Sequence, residues 1–260
     1  MELDRFLDFH RTRLEEDEVK YNLMLGILGD APSPEIRLWT LGKSGACAVQ
    51  NSGRPIVLGA LDMEQCRRLA DETRDLALPG VVGCDDTASW FVGRAVELGH
   101  KFDEPMPQQI HELRSSPVYP GAIGHARRVT DEDAVLFADW IYAFFNEAVP
   151  HDPKPSPERL QKLAGSGNYL FWIVDDQPVS MAGIVRRTRN AAAIAGVYTP
   201  PGLRGRGYAG SAVATLVERI FDEGKTTACL YTDMRNPFSN RCYAKIGFRP
   251  VCSSAFFGRR

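Results

Sequence analysis

The chain has 260 residues, a formal net charge of −2, and 44% hydrophobic, 25% charged and 10% aromatic residues. That is the composition of a soluble globular protein with apolar material for a sizeable core, so no metal or disulfide staple is needed. No run of about 18 apolar residues offers a membrane span, and the acidic start MELDRFLDFH lacks the apolar stretch of a secretory signal. Six scattered cysteines without a C-x-x-C pair are expected to be reduced thiols of a cytoplasmic protein, and the five histidines show no paired spacing, so no metal site is expected.

In chain order, IRLWTLG and ACAVQ pair as a hairpin. The GKS at 42–44 between them is a turn and not a P-loop, because Arg37 stands where the first P-loop glycine belongs. RPIVLGAL is a strand leading into the helical MEQCRRLADETRDL, with Asp62 as its N-cap. PGVVG follows as a strand, and DTASWFVGRAVELGHKF as a helix and strand. Prolines 105, 107, 117 and 120 mark a boundary, so the expected domains are residues 1–118, an α/β domain, and 119–260.

Downstream, HARRV is a short strand, and Thr130 with Asp133 opens a helix through Ala148. Ser156 and Pro157 start a short helix that Gly165 and Gly167 end. YLFWIV and VSMAGIV form a hairpin, AAAIAGVYT a third strand, and GYAGSAVATLVERIFDE a helix stopped by Gly224. TACLYTD is a strand, Ser239 caps NRCYAKI, Gly247 ends it, and FRPVC and AFF are final short strands. Hairpins followed by a strand-helix-strand crossover predict a mixed, mostly antiparallel twisted sheet flanked by helices. The upstream half echoes the same element order, as an internal structural repeat would.

Charge is unevenly placed. Residues 186–260 carry 13 Lys and Arg against 4 Asp and Glu, a balance of +9 that leaves −11 for residues 1–185. A polyanionic partner fits the basic end. The aromatics there sit at core-like spacing, without the interleaving of a single-strand nucleic-acid binder, so a multiply phosphorylated small molecule is expected.

Within that end, Gly205, Gly207 and Gly210 form G-x-G-x-x-G ahead of a helix. A dinucleotide fingerprint turns directly off its strand, whereas here residues 200–204 intervene after Thr199. The chain beyond Gly210 is also too short for the rest of a doubly wound sheet. Arg204-Gly205-Arg206-Gly207-Tyr208-Ala209 instead matches R/Q-x-x-G-x-G/A, and at this point the chain resembles the GNAT-type N-acetyltransferases. YTDMRNPFSNRCYAKIGFRPV resembles the family's last motif, and the likeness extends over about residues 124–258.

The chemistry suits these residue types. Glycines let backbone amides approach a pyrophosphate, the following helix N-terminus faces the same anion, and Arg204 and Arg206 add charge. Arg241 and Lys245 are candidates for a 3′-phosphate. The resemblance implies a GNAT-like α/β catalytic domain that takes acetyl-CoA as co-substrate and acetylates a primary amine, small-molecule or peptide, with no nucleic-acid or membrane partner. It places Val197, Tyr198 and Thr199 along the pantetheine arm, held as an added strand, and an amide there over the thioester carbonyl. Asn236, Ser239 and Asn240 contact the arm, and Tyr243 protonates the leaving thiolate. The third strand has no carboxylate, so Asp233, Glu147 and His151 stand as candidate bases beside a water chain. Two functions remain open: an N-acetyltransferase, or a CoA-binding regulatory module without turnover. The upstream half reads as a degenerate, CoA-free repeat, since Asp62 stands where phosphate would bind.

Overall fold

The described residues are 2–29, 35–84, 86–150 and 152–260 of a computed structural model. In chain order they form α1 (Glu2–Glu15), α2 (Asn22–Gly29), β1 (Arg37–Thr40), β2 (Cys47–Gln50), β3 (Ile56–Leu58), α3 (Met63–Glu72), β4 (Gly80–Cys84), α4 (Thr87–Glu97) and β5 (Met106–Leu113). There follow β6 (His125–Arg128), α5 (Ala134–Ala148), α6 (Pro157–Ala164), β7 (Tyr169–Val174), β8 (Gln177–Arg187) and β9 (Ala191–Tyr198). The remaining elements are α7 (Tyr208–Asp222), β10 (Thr227–Asp233), α8 (Pro237–Ile246) and β11 (Arg249–Gly258). Two compact units result: Met1–Ile110 with Asp233–Arg235 and Pro250–Arg260, and His111–Thr232 with Asn236–Arg249.

In the first unit, β1 and β2 pair antiparallel, and Leu41 N–H to Ala46 O at 2.8 Å closes the turn over GKS. β3 runs antiparallel to β2 and parallel to β4. A parallel pair needs a crossover, and α3 supplies it. The start of α3 is fixed by a capping box: the Asp62 carboxylate accepts the Gln65 N–H at 2.8 Å, and the Gln65 side chain accepts the Asp62 N–H at 3.0 Å. β11 completes this sheet antiparallel to β4, with Ser254 opposite Cys84 and Gly258 opposite Gly80. Strand alternation sends Phe257 into the core under α3 and α4, and Phe256 into the core under α1 and α2.

In the second unit, β6, β7, β8 and β9 pair antiparallel in sequence, and β10 joins β9 in parallel. β7 is buried along nearly its whole length because both faces are covered. On one face Phe137, Ile141 and Leu160 of α5 and α6 pack on Tyr169, Phe171 and Met181. On the other, Val213, Leu216, Val217 and Ile220 of α7 pack on Ile184, Ile194 and Leu230, together with Tyr243 and Ile246 of α8.

Three sequence expectations are corrected. The proline-rich stretch is part strand: Pro107 lies near the start of β5, where its carbonyl accepts the Met234 N–H at 2.9 Å. A proline is tolerated at a strand's beginning, and Ile110 and Leu113 beyond it are buried. FRPVC and AFF are one strand, β11, because two serines between them continue the alternation. α8 is capped by Asn236, whose Oδ1 accepts the Phe238 and Ser239 N–H groups at 3.2 Å, with Pro237 at the first helical position. The hydroxyl of Ser239 instead donates to the Asn236 carbonyl at 3.1 Å. Helices α1 and α2 had no reading in sequence, and the division at 118/119 differs from the compact units, which the chain enters and leaves more than once.

Candidate functional site

The strand pair β9 and β10 defines the site's floor. Their parallel register covers only Ala191, Ala192 and Ala193 opposite Thr227, Ala228 and Cys229. Beyond these pairs β9 continues to Tyr198 and β10 to Asp233 without pairing to each other, so a wedge opens between them. The cause lies in β9: one extra residue separates its Ala195–Gly183 and Tyr198–Met181 pairs, and Gly196 has φ +63°. A bulge of this kind turns the strand and leaves its amides unmatched.

Val197 and Tyr198 end β9 and Thr199 follows, all three partly exposed. Ser180 holds this end in place: its hydroxyl donates to the Tyr198 carbonyl at 3.0 Å and lies 2.8 Å from the Thr199 hydroxyl. Sequence reading passed over Ser180. The signal was a lone polar residue in an otherwise apolar strand, here wholly buried.

The glycine loop follows. Gly205 and Gly207 take φ of +79° and +83°, the left-handed region that favours glycine. Gly210 is required for a different reason, since a Cβ there would stand 2.6 Å from Pro120. Pro120 and Ala122 also pack beside Gly207, a support no motif revealed. Gly207 is the N-cap of α7 and supplies no side-chain cap, so the amides of Tyr208 and Ala209 open the helix without a carboxylate over them. Tyr208 itself is buried in the α7 core.

The arginines differ from each other. Arg204 Nε donates to the Thr199 carbonyl at 2.8 Å, its other arm meets Glu147 Oε2 at 2.6 Å, and the guanidinium lies 5.9 Å from the Tyr198 ring. It therefore braces the loop against the end of β9. Arg206 is exposed and, among the described residues, reaches only the Gly202 carbonyl at 3.5 Å. Arg241 and Lys245 lie on α8, with Arg241 over the exposed Phe238 ring at 5.3 Å.

Tyr243 projects from α8 into the core with its ring 6.0 Å from Phe248, and burial pushes its hydroxyl well above the usual tyrosine value. Its hydroxyl makes no hydrogen bond among the described residues. Asn240 lies on the same helix. Asp233 is less free. Burial raises its carboxyl, but the Arg235 side chain at 3.0 Å, the Arg235 amide at 2.9 Å and the guanidinium charge together hold it below the usual range. His151 lies outside the described residues.

Residues 135–248 match the model of the acetyltransferase (GNAT) family. Solved structures align over nine-tenths or more of the chain. A Drosophila protein aligns with TM-score 0.68 at 14% identity, over 100% of this chain and 96% of its own. A GCN5-related N-acetyltransferase from Kribbella flavida aligns with TM-score 0.60 at 17% identity, over 93% of each chain. A tandem GNAT protein from the clavulanic acid biosynthesis pathway aligns with TM-score 0.54 at 13% identity, over 90% of this chain and 86% of its own. At such identities the likeness is one of fold, and the fold is GNAT-like. No curated protein matches the chain. Among the described residues no helix is long and apolar enough to cross a membrane, and no cluster of three His, Cys, Asp or Glu side chains is placed to hold a metal.

Proposed function

We propose that this protein is an N-acetyltransferase that moves the acetyl group of acetyl-CoA to a primary amine by direct attack. The observation that carries it is the junction of an uncapped, glycine-opened helix α7 with the wedge between β9 and β10. The residues present fit the cofactor. Backbone amides at Gly207, Tyr208 and Ala209 face an anion with no side chain in the way, and the helix dipole favours negative charge there. Arg206, exposed and lightly held, adds a cation beside them.

Acetyl-CoA bound there supplies an acetyl thioester. The unpaired edge of β9 at Val197 to Thr199 hydrogen-bonds an extended amide chain as a neighbouring strand would. Asn236 and Ser239 lie at the α8 N-terminus, and Asn240 a turn further on, as polar contacts for the arm. The Tyr243 hydroxyl, neutral at any working pH, holds the proton that a thiolate leaving group needs. Asp233 is a poor general base while Arg235 holds its carboxyl down, and a water chain remains the route for the amine's proton. In this reading the first unit is a degenerate repeat that binds no CoA.

Replacing Gly207 with Glu places a side chain and a negative charge against the phosphates. Calorimetry is expected to show acetyl-CoA binding to the wild type and a loss of at least a hundredfold in the variant, with circular dichroism confirming the fold. Arg206→Glu, at an exposed site, is expected to weaken binding in the same direction. Equal affinity in all three proteins overturns the assignment. Release of free CoA with a panel of primary amines then separates an enzyme from a CoA-binding module without turnover.

A further inference from the structure

Tyr169, the first residue of β7, has a hydroxyl that neither the core nor the mechanism uses. The side chain is 5% exposed, and its ring packs edge-on against Phe137 at 4.8 Å. Two glycines make room for it. A Cβ on Gly183 would collide with the Tyr169 ring, and one on Gly196 would stand 3.0 Å from ring carbon Cε1 and 3.6 Å from Oη. The hydroxyl therefore lies over Gly196, in the bulge of β9, three residues past the last β9–β10 pair at Ala193. It makes no hydrogen bond among the described residues. Its oxygen is not among the wholly buried atoms left without a partner, so a phenol here, where phenylalanine would pack as well, leaves a polar group open to a ligand at the bulge.

The direction of approach matters. Tyr169 belongs to the core under α5 and α6, whereas α7, whose N-terminus suits phosphate, covers the opposite face of the same sheet. Its hydroxyl therefore meets the wedge from the side away from the phosphate loop. An acyl donor threaded from the α7 face leaves this side for the acceptor.

We propose that the Tyr169 hydroxyl receives the acceptor amine: its oxygen accepts a hydrogen bond from the amine N–H and turns the nitrogen lone pair toward the thioester carbon beside Gly196. The proposal rests on the N-acetyltransferase reading. In the transfer, the nitrogen–carbon bond forms, the carbon–sulfur bond breaks and its electron pair stays on sulfur. One proton leaves nitrogen for solvent water, one reaches sulfur from Tyr243, and the Tyr243 phenolate regains its proton from solvent. Burial pushes the Tyr169 hydroxyl up to about 12, against a lowering by Arg159 and Arg186, so it stays a neutral hydrogen-bond partner and is not the base.

Tyr169→Phe keeps the ring and removes one oxygen. Wild type and variant are compared by calorimetric titration with acetyl-CoA, by thermal melting, and by free-CoA release across an amine series at saturating acetyl-CoA. Expected are an unchanged melting temperature, acetyl-CoA affinity within about twofold, and kcat/KM for the amine lowered about tenfold or more, with much of the loss in KM. An unchanged kcat/KM for the amine overturns the proposal, as does a loss confined to acetyl-CoA affinity or melting temperature. If the wild type binds no acetyl-CoA or releases none of its CoA to any amine, the enzyme reading falls and the role of Tyr169 with it. That failure shows in the wild type, whereas failure of the proposal alone shows only in the variant.

Discussion

Tyr243 and Tyr169 share a chemistry and differ in placement. Both are buried phenols raised above their usual range, one on the α7–α8 face and one on the α5–α6 face. For Tyr243, substitution by Phe is expected to lower kcat by about 10²–10⁴, the usual worth of general acid help, while acetyl-CoA affinity stays nearly unchanged. An unchanged kcat, with chemistry limiting turnover, would return the ring to a packing role. Buried histidines set the acid limit of the fold. His10 Nδ1 accepts the Gly45 N–H at 3.0 Å while Nε2 meets the Thr40 hydroxyl at 2.9 Å, an arrangement that needs the neutral ring. His111 Nε2 lies 3.1 Å from the Thr232 hydroxyl, and burial lowers both histidines from 6.5. Below pH 6.5 the unfolded chain binds protons that the folded chain refuses. Stability is therefore present above that value and lost as pH falls from it toward the folded values, by up to about 1.4 kcal/mol per pH unit per histidine. Urea unfolding at pH 7.5 and 5.5 checks this; equal midpoints would refute it. At this scale the left-handed glycines were legible because their spacing is chemical. The tie between Asp233 and Arg235 was not, since two letters that close do not show an ion pair.

Two helices that follow parallel-paired strands begin in opposite ways. α3 opens under the carboxylate of Asp62, and α7 opens at Gly207 with no side-chain cap on its amides. A carboxylate fills the place an incoming phosphate would take and repels it. Titration is therefore expected to give one acetyl-CoA per chain, and crystals grown with excess acetyl-CoA are expected to show it at Gly205 to Ala209. A second molecule at Asp62 would refute the contrast. Caps of this sort are local, so both starts were readable from sequence. The bulge at Gly196 was not: its signal is a register between two strands, and a lone glycine in AAAIAGVYT carries no register. β5 was hidden for a related reason, because Pro105 and Pro107 argue for a loop until Ile110 and Leu113 are seen to be buried along a strand.

For the molecule as a whole, the order of elements from β1 to α4 and from β6 to α8 was legible, since helices and strands follow from periodicity and punctuation. Which unit a strand joins was not. The basic tail after α8 reads as the end of the catalytic domain, yet β11 closes the first unit's sheet beside β4. Pairing partners are chosen by shape and apolar fit across the whole fold, and only local features leave marks on adjacent letters.

That closing strand has a consequence for how the protein is made. The Ser254 hydroxyl donates to the Gly83 carbonyl at 3.1 Å across 171 positions of sequence. During synthesis at about 5–20 residues per second, β4 emerges and waits on the order of ten seconds for its neighbour. Through that interval it presents an open hydrogen-bonding edge, with the places of Phe256 and Phe257 unfilled. The nascent first unit is thus a natural client for a chaperone, and a ribosome stalled inside β10 would hold an unfinished sheet prone to pair with strangers.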